Sequence, residues 1–91
     1  MYSFLNIQLN NQIWKEGDMY VAYVPLLDVS SCGRTSAEAQ KNIAEAVELF
    51  LEEARSMGTL EQILQESGFI PGKNKGWKSP RILNRKLELS V

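Results

Sequence analysis

The stretch Tyr20–Glu53, YVAYVPLLDVSSCGRTSAEAQKNIAEAVELFLEE, decides the fold of this 91-residue chain. Met19 to Val24 is rich in β-branched and aromatic residues and reads as a strand. Pro25 cannot donate to a ladder, so pairing stops there and the chain turns. Val29 to Cys32 is a short further strand, and Gly33 is expected to supply a backbone angle that other residues resist. Thr35 followed by Glu38 is a capping box, so a helix begins at Ser36. Ala39, Ile43, Ala46, Val47, Phe50, Ala54 and Met57 recur at helical spacing as one apolar stripe. Glu38, Lys41, Glu45 and Glu52 fall on the opposite face. Gly58 closes the helix. Leu49 lies among the acids, and a single exposed leucine needs no function.

Working outward, Ser3, Leu5, Ile7 and Leu9 alternate with Phe4, Asn6 and Gln8, giving a first strand from Tyr2 to about Ile13. Lys15 to Asp18, with Gly17 inside, is a hairpin loop. Thr59 with Gln62 repeats the capping pattern and starts a short helix over 59–67, closed by Gly68. Residues 71–80 (PGKNKGWKSP) read as a polar basic loop. Leu83, Arg85, Leu87, Leu89 and Val91 alternate with Asn84, Lys86, Glu88 and Ser90, so 82–91 is expected to be a final strand. The order is β-β-β-α-(α)-β. It predicts a single α+β domain over 1–91, a two-layer sandwich with its core in 1–57. The final strand is expected to pair in parallel with the first through the helical crossover. The far sheet face, with Phe4, has no helix to cover it, which points to a partner chain.

Composition narrows the function. Histidine is absent, which removes the commonest general base near neutral pH and any Ser-His or Cys-His pair. One cysteine, Cys32, cannot form an intrachain disulfide or a Cys/His zinc site. Beside Gly33 it reads as a small, half-buried strand residue or a reactive thiol. No phosphate-cradling glycine loop occurs. Glu45, Glu48 and Glu52 share a helix flank, but the strands offer no inward acid to complete a metal site. The chain is therefore expected to be no enzyme and to need no cofactor. Met1 to Leu9 lacks the features of a signal peptide, and nothing resembles a membrane span, so a reducing cytoplasm fits.

Charge is distributed unevenly. Residues 1–70 carry Lys15, Arg34, Lys41 and Arg55 against ten acids, net −6, while 71–91 carry six cations against Glu88, net +5. The basic segment reads either as a solvated tail offsetting the acidic helix or as a contact surface. Lys73, Lys75 and Lys78 are the residues for a nucleic-acid contact, although no helix-turn-helix or zinc pattern accompanies them. Tyr20 and Tyr23 face opposite sides of their strand. Trp77 is either a plug for the bare sheet face or a binding anchor.

Forty residues around the opening stretch resemble the HicB-like antitoxins of bacterial and archaeal toxin–antitoxin pairs. The pieces that carry the resemblance are Gly17, Tyr20-Val21-Ala22, Val24-Pro25, Leu27-Asp28-Val29, Ser31, Gly33, Thr35, Glu38-Ala39, Asn42-Ile43, Glu45-Ala46, Glu48-Leu49 and Leu51-Glu52. The resemblance implies a partial ribonuclease H-like fold without nuclease carboxylates. It implies binding to a small HicA-like messenger-RNA-cleaving toxin, whose active surface the antitoxin covers. Leu26 stands where an acid is usual after the proline, and Cys32 where a polar residue is common. Many such antitoxins carry a C-terminal DNA-binding module. None is evident here, which argues against operator binding. Tyr20, Tyr23, Leu26, Glu45, Glu52 and Trp77 are the residues expected to meet the partner. The rival expectations are a homo-oligomeric scaffold of the same fold, dimer or larger, and a nucleic-acid binder using the basic segment.

Overall fold

The computed structural model describes residues 7–72 and 76–91. It is a mixed α+β sandwich of two helices on two three-stranded sheets. In chain order the elements are β1 (Ile7–Gln8), β2 (Gln12–Glu16), β3 (Met19–Val24), β4 (Val29–Gly33), α1 (Ser36–Ser56), α2 (Leu60–Glu66), β5 (Ile70–Pro71) and β6 (Trp77–Lys78). Antiparallel β2, β3 and β4 form one sheet in that order, and β1-β6-β5 the other. The N-terminal segment joins them, since β1 belongs to one sheet and β2 to the other.

Each turn has a local cause. Glu16 pairs with Met19, so the first hairpin loop is only Gly17-Asp18, shorter than the Lys15–Asp18 loop the sequence suggests. Gly17 has φ +61 while Asp18 stays out of the left-handed region, the pattern of a type II′ turn. Val24 pairs with Val29, leaving Pro25–Asp28 as a four-residue loop. The Leu27 and Asp28 amides donate to Val24 and Pro25 carbonyls at 3.3 and 3.2 Å, and Asp28 takes φ 55. Aspartate tolerates that conformation better than most side chains.

Helix α1 begins as the capping box predicts. The Glu38 amide donates to Thr35 Oγ1 at 3.0 Å. The Glu38 carboxylate reaches back one residue further than usual and accepts from the Arg34 amide at 2.8 Å. At the other end Gly58, at φ +75, lets its own amide bond Arg55 O and the Thr59 amide bond Ala54 O. The end of α2 repeats the device, with Gly68 N–H to Gln65 O and Phe69 N–H to Leu64 O. These two-bond glycine caps satisfy carbonyls that a helix end leaves free. Phe69 and Leu64 are both buried, the apolar contact that accompanies such a cap.

The core lies between α1 and the β3–β4 pair. Ala22, Val24 and Leu27 meet Ala39, Ile43 and Val47 there, with Leu64 and Phe69 closing one end. Ala46 and Phe50 of the helical stripe are half-buried, whereas Met57 is exposed beyond the last turn. Among the described residues no polar or charged side chain is buried, and no helix is long and apolar enough to cross a membrane.

Four expectations are corrected. The first strand is broken at residues 9–11, where pairing passes from one sheet to the other, and its residues 1–6, with Phe4, lie outside the described ones. The final strand at 82–91 does not form, for residues 79–91 adopt no helix or strand. The return strand is instead Trp77–Lys78, inside the segment read as a loop. It pairs in parallel with β1 (Ile7 with Trp77) and antiparallel with β5 (Pro71 with Trp77), so the edge the last residues needed is already taken. Thr59 does not cap α2 through its side chain. It is already the closing residue of α1's glycine cap, and its hydroxyl donates to Ala54 O at 3.2 Å.

Gly33 differs as well from the expected special backbone angle. It is not in the left-handed region. A Cβ there would lie 2.6 Å from the Ala39 nitrogen and 2.8 Å from the Glu38 carbonyl carbon. The glycine lets β4 run directly against the first turn of α1. Gly33→Ala is therefore expected to push helix and strand apart and lower stability by about 1–3 kcal/mol. Urea unfolding monitored by circular dichroism measures this, and a change under about 0.5 kcal/mol would contradict the packing argument.

Candidate interaction surfaces

Cross-strand register assigns every side chain of the three-stranded β2-β3-β4 sheet to a face. Ala22 is buried under α1, so its cross-strand neighbours Ile13 and Ser31 lie on the helix side, as do Tyr20 and Gly33. The other face carries Trp14, Val21 and Cys32 as one direct cross-strand row. Met19 and Tyr23 flank that row on β3. Among the described residues no helix covers this outer face. Trp14 is 41% exposed, Met19 37%, and Cys32 is exposed as well. Large apolar side chains in adjacent positions on an uncovered sheet form a continuous patch, unlike a lone surface leucine.

Tyr23 anchors the end of this patch. Its hydroxyl donates to Asp28 Oδ1 at 2.8 Å, tying the outer face to the left-handed residue of the next loop. On the helix side, Asn42 Nδ2 donates to the Cys32 carbonyl at 2.8 Å. That bond fixes edge strand β4 to α1 and holds the Cys32 side chain facing outward.

A groove of about 510 Å³ lies on the other side of the molecule, between α1 and the N-terminal segment. Buried Val24, Ile43 and Val47 form its base. Ile7, Leu9, Leu51 and Leu60 supply apolar walls, and Glu48, Glu52 and Arg55 stand along its helical rim. Ala44 opens one side because its side chain is short.

The sequence-predicted residues are dispersed over these surfaces. Tyr20 and Leu26 are half-buried and pack against the core cluster, and so does Trp77 on β6. Tyr23 alone of the six belongs to the outer face. Glu45 and Glu52 are exposed on α1, and Glu52 borders the groove. Lys78 is exposed on β6, while Lys73 and Lys75 lie outside the described residues. Among the described residues no group of three acids, histidines or cysteines is placed to hold a metal ion. Trp14 is not among the sequence-predicted residues because the first strand is expected to end at Ile13. Extending the alternation through Gln12, Trp14 and Glu16 would have found it.

Comparison with known protein families, with curated proteins and with solved structures finds no match to this chain.

The Tyr23–Asp28 bond has a titration signature. The phenol is held above its ordinary value of 10.0, first by donating to Asp28, then by desolvation and by the negative charge of Asp28. The neutral phenol is the stabilised form. Its contribution to stability is therefore full below the unfolded value near 10 and is lost as pH rises through the raised folded value. Ultraviolet titration of the tyrosines is expected to show one component above the ordinary range. Asp28→Asn, which keeps the left-handed loop accessible, should bring that component down. An unchanged curve in the variant would refute the pairing.

Proposed function

We propose that this chain is a non-enzymatic binding domain of the HicB-like antitoxin kind, which inhibits a small HicA-like messenger-RNA-cleaving toxin by covering its active surface. The observation that carries the reading is the uncovered Trp14–Val21–Cys32 row on the outer sheet face. Aromatic side chains set in a flat apolar patch are the usual anchors of protein interfaces. The order of three antiparallel strands, a long helix and a parallel return strand supports grouping the chain with the partial ribonuclease H-like fold of that family.

Charge supports the same kind of partner. The body of the domain, residues 1–70, carries a net −6. An enzyme that holds RNA presents a basic surface, and an acidic protein approaches such a surface faster and competes with the nucleic acid there. Inhibition by occlusion needs no nucleophile, metal or general base from this chain, only shape and charge.

Purified chain, mixed with a small basic HicA-like ribonuclease, is expected to form a stoichiometric complex and to protect RNA from cleavage. Trp14→Ala should leave the fold nearly unchanged, because the side chain is exposed in the free domain. The same substitution should weaken the complex by about tenfold or more. Absence of both complex and protection would dismiss the proposal, and undiminished binding by the variant would remove the outer face from it.

A further inference from the structure

Beyond Pro80 the chain continues through residues 81–91 (RILNRKLELSV) with neither helix nor strand. This arm does not have the composition of a solvated tail. Five of its residues are Ile, Leu or Val, whereas segments that stay unstructured are poor in such side chains. In extended form Leu83, Arg85, Leu87, Leu89 and Val91 fall on one side, which is apolar except for Arg85. All are exposed, Leu87 at 80% and Leu89 at 75%. The radius of gyration is 15.0 Å, whereas a compact chain of this length would have about 12 Å, so the chain is more extended than a single packed body.

The groove between α1 and β1 has the complementary character. Its walls are apolar, and Glu48 and Glu52 on its rim outnumber Arg55, whereas Arg81, Arg85 and Lys86 of the arm outnumber Glu88. No residue of the arm lines the groove of its own chain. Eleven extended residues span about 36 Å, enough to cross the 21 and 30 Å shorter dimensions of a neighbouring copy. A two-fold exchange gives every arm a groove and every groove an arm, and it closes without leaving a surplus patch.

We propose that residues 81–91 of one copy lie in the groove between α1 and β1 of a second copy, so that the chain dimerises by reciprocal arm exchange. The outer sheet face takes no part in this contact and stays open to another protein. The proposal is therefore independent of the toxin-binding reading.

Sedimentation equilibrium of the full chain tests it. The wild type is expected to dimerise. The double variant Leu87→Asp, Leu89→Asp should keep the wild-type circular dichroism, because both side chains are exposed, yet lose dimer affinity by about tenfold or more. Ala44→Arg, also at an exposed position, should do the same from the groove side. An equimolar mixture of the two variants should regain association, because the intact arm of one fits the intact groove of the other. A monomeric wild type would overturn the proposal, including one whose arm folds into its own groove. So would a dimer indifferent to the arm substitutions, or a mixture that stays monomeric.

Discussion

The close seat of α1 on β3 and β4 is the constraint on which the rest of the structure depends. It is built from residues with little or no side chain. Ala22 and Ala39 are completely buried, and Gly33 leaves no room for even a Cβ before the helix backbone. Larger residues at these positions would lift the helix away from the sheet. Ile43 and Val47 would then lose the contacts that make a thin core sufficient. The capping bonds at Thr35 and Glu38 set where the helix starts, and the Asn42 bond to Cys32 O fixes its rotation against the edge strand. Once α1 is placed, the faces of all three strands follow from register alone.

That placement also determines which surfaces are left bare. A single long helix covers one side of a three-stranded sheet, and the described residues supply no second layer for the other side. Trp14, Met19 and Val21 therefore share an uncovered face as a consequence of topology, not as isolated exceptions. On the helix side, α1 lies over β3 and β4 and leaves a groove beside β1. In a domain of this size surface is large relative to core. Its binding character is thus largely set by which faces one helix cannot reach.

The legible parts of the sequence were those whose causes are local. The capping box, the glycine ends of both helices, the β3 strand and the i, i+3, i+4 stripe on α1 each depend on residues a few positions apart. The parts that failed depend on distant neighbours. Residues 82–91 satisfy the alternation of a strand as well as β3 does, but a strand exists only where an edge accepts it. Trp77–Lys78 occupies the edge beside β1, and nothing within the last ten residues signals that competition. Gly33 is expected from the sequence to supply a special backbone angle, whereas its cause is close approach to the first turn of α1. Close approach between elements is invisible in a sequence, whereas turn conformation is often legible. Of the candidate site, the bare face is foreseen from the element order. Its occupant Trp14 is not, because the alternation places the end of the first strand at Ile13.

One small domain here holds two apolar surfaces of opposite kind. The outer face is flat, rigid and centred on an aromatic side chain carried by regular strands. The arm is extended and aliphatic, and no secondary structure holds it in place. A preformed patch binds with little ordering cost, whereas an arm must give up conformational freedom when it docks. Arms are accordingly better suited to joining copies of one chain, where two identical contacts close together and the second is intramolecular once the first has formed. Rigid faces suit a different protein whose own surface is fixed. Under the two proposals, the division of the apolar residues between strands and arm would separate self-association from recognition in one short chain. The acidic charge of the body favours a basic partner on either surface and needs no catalytic group to do so.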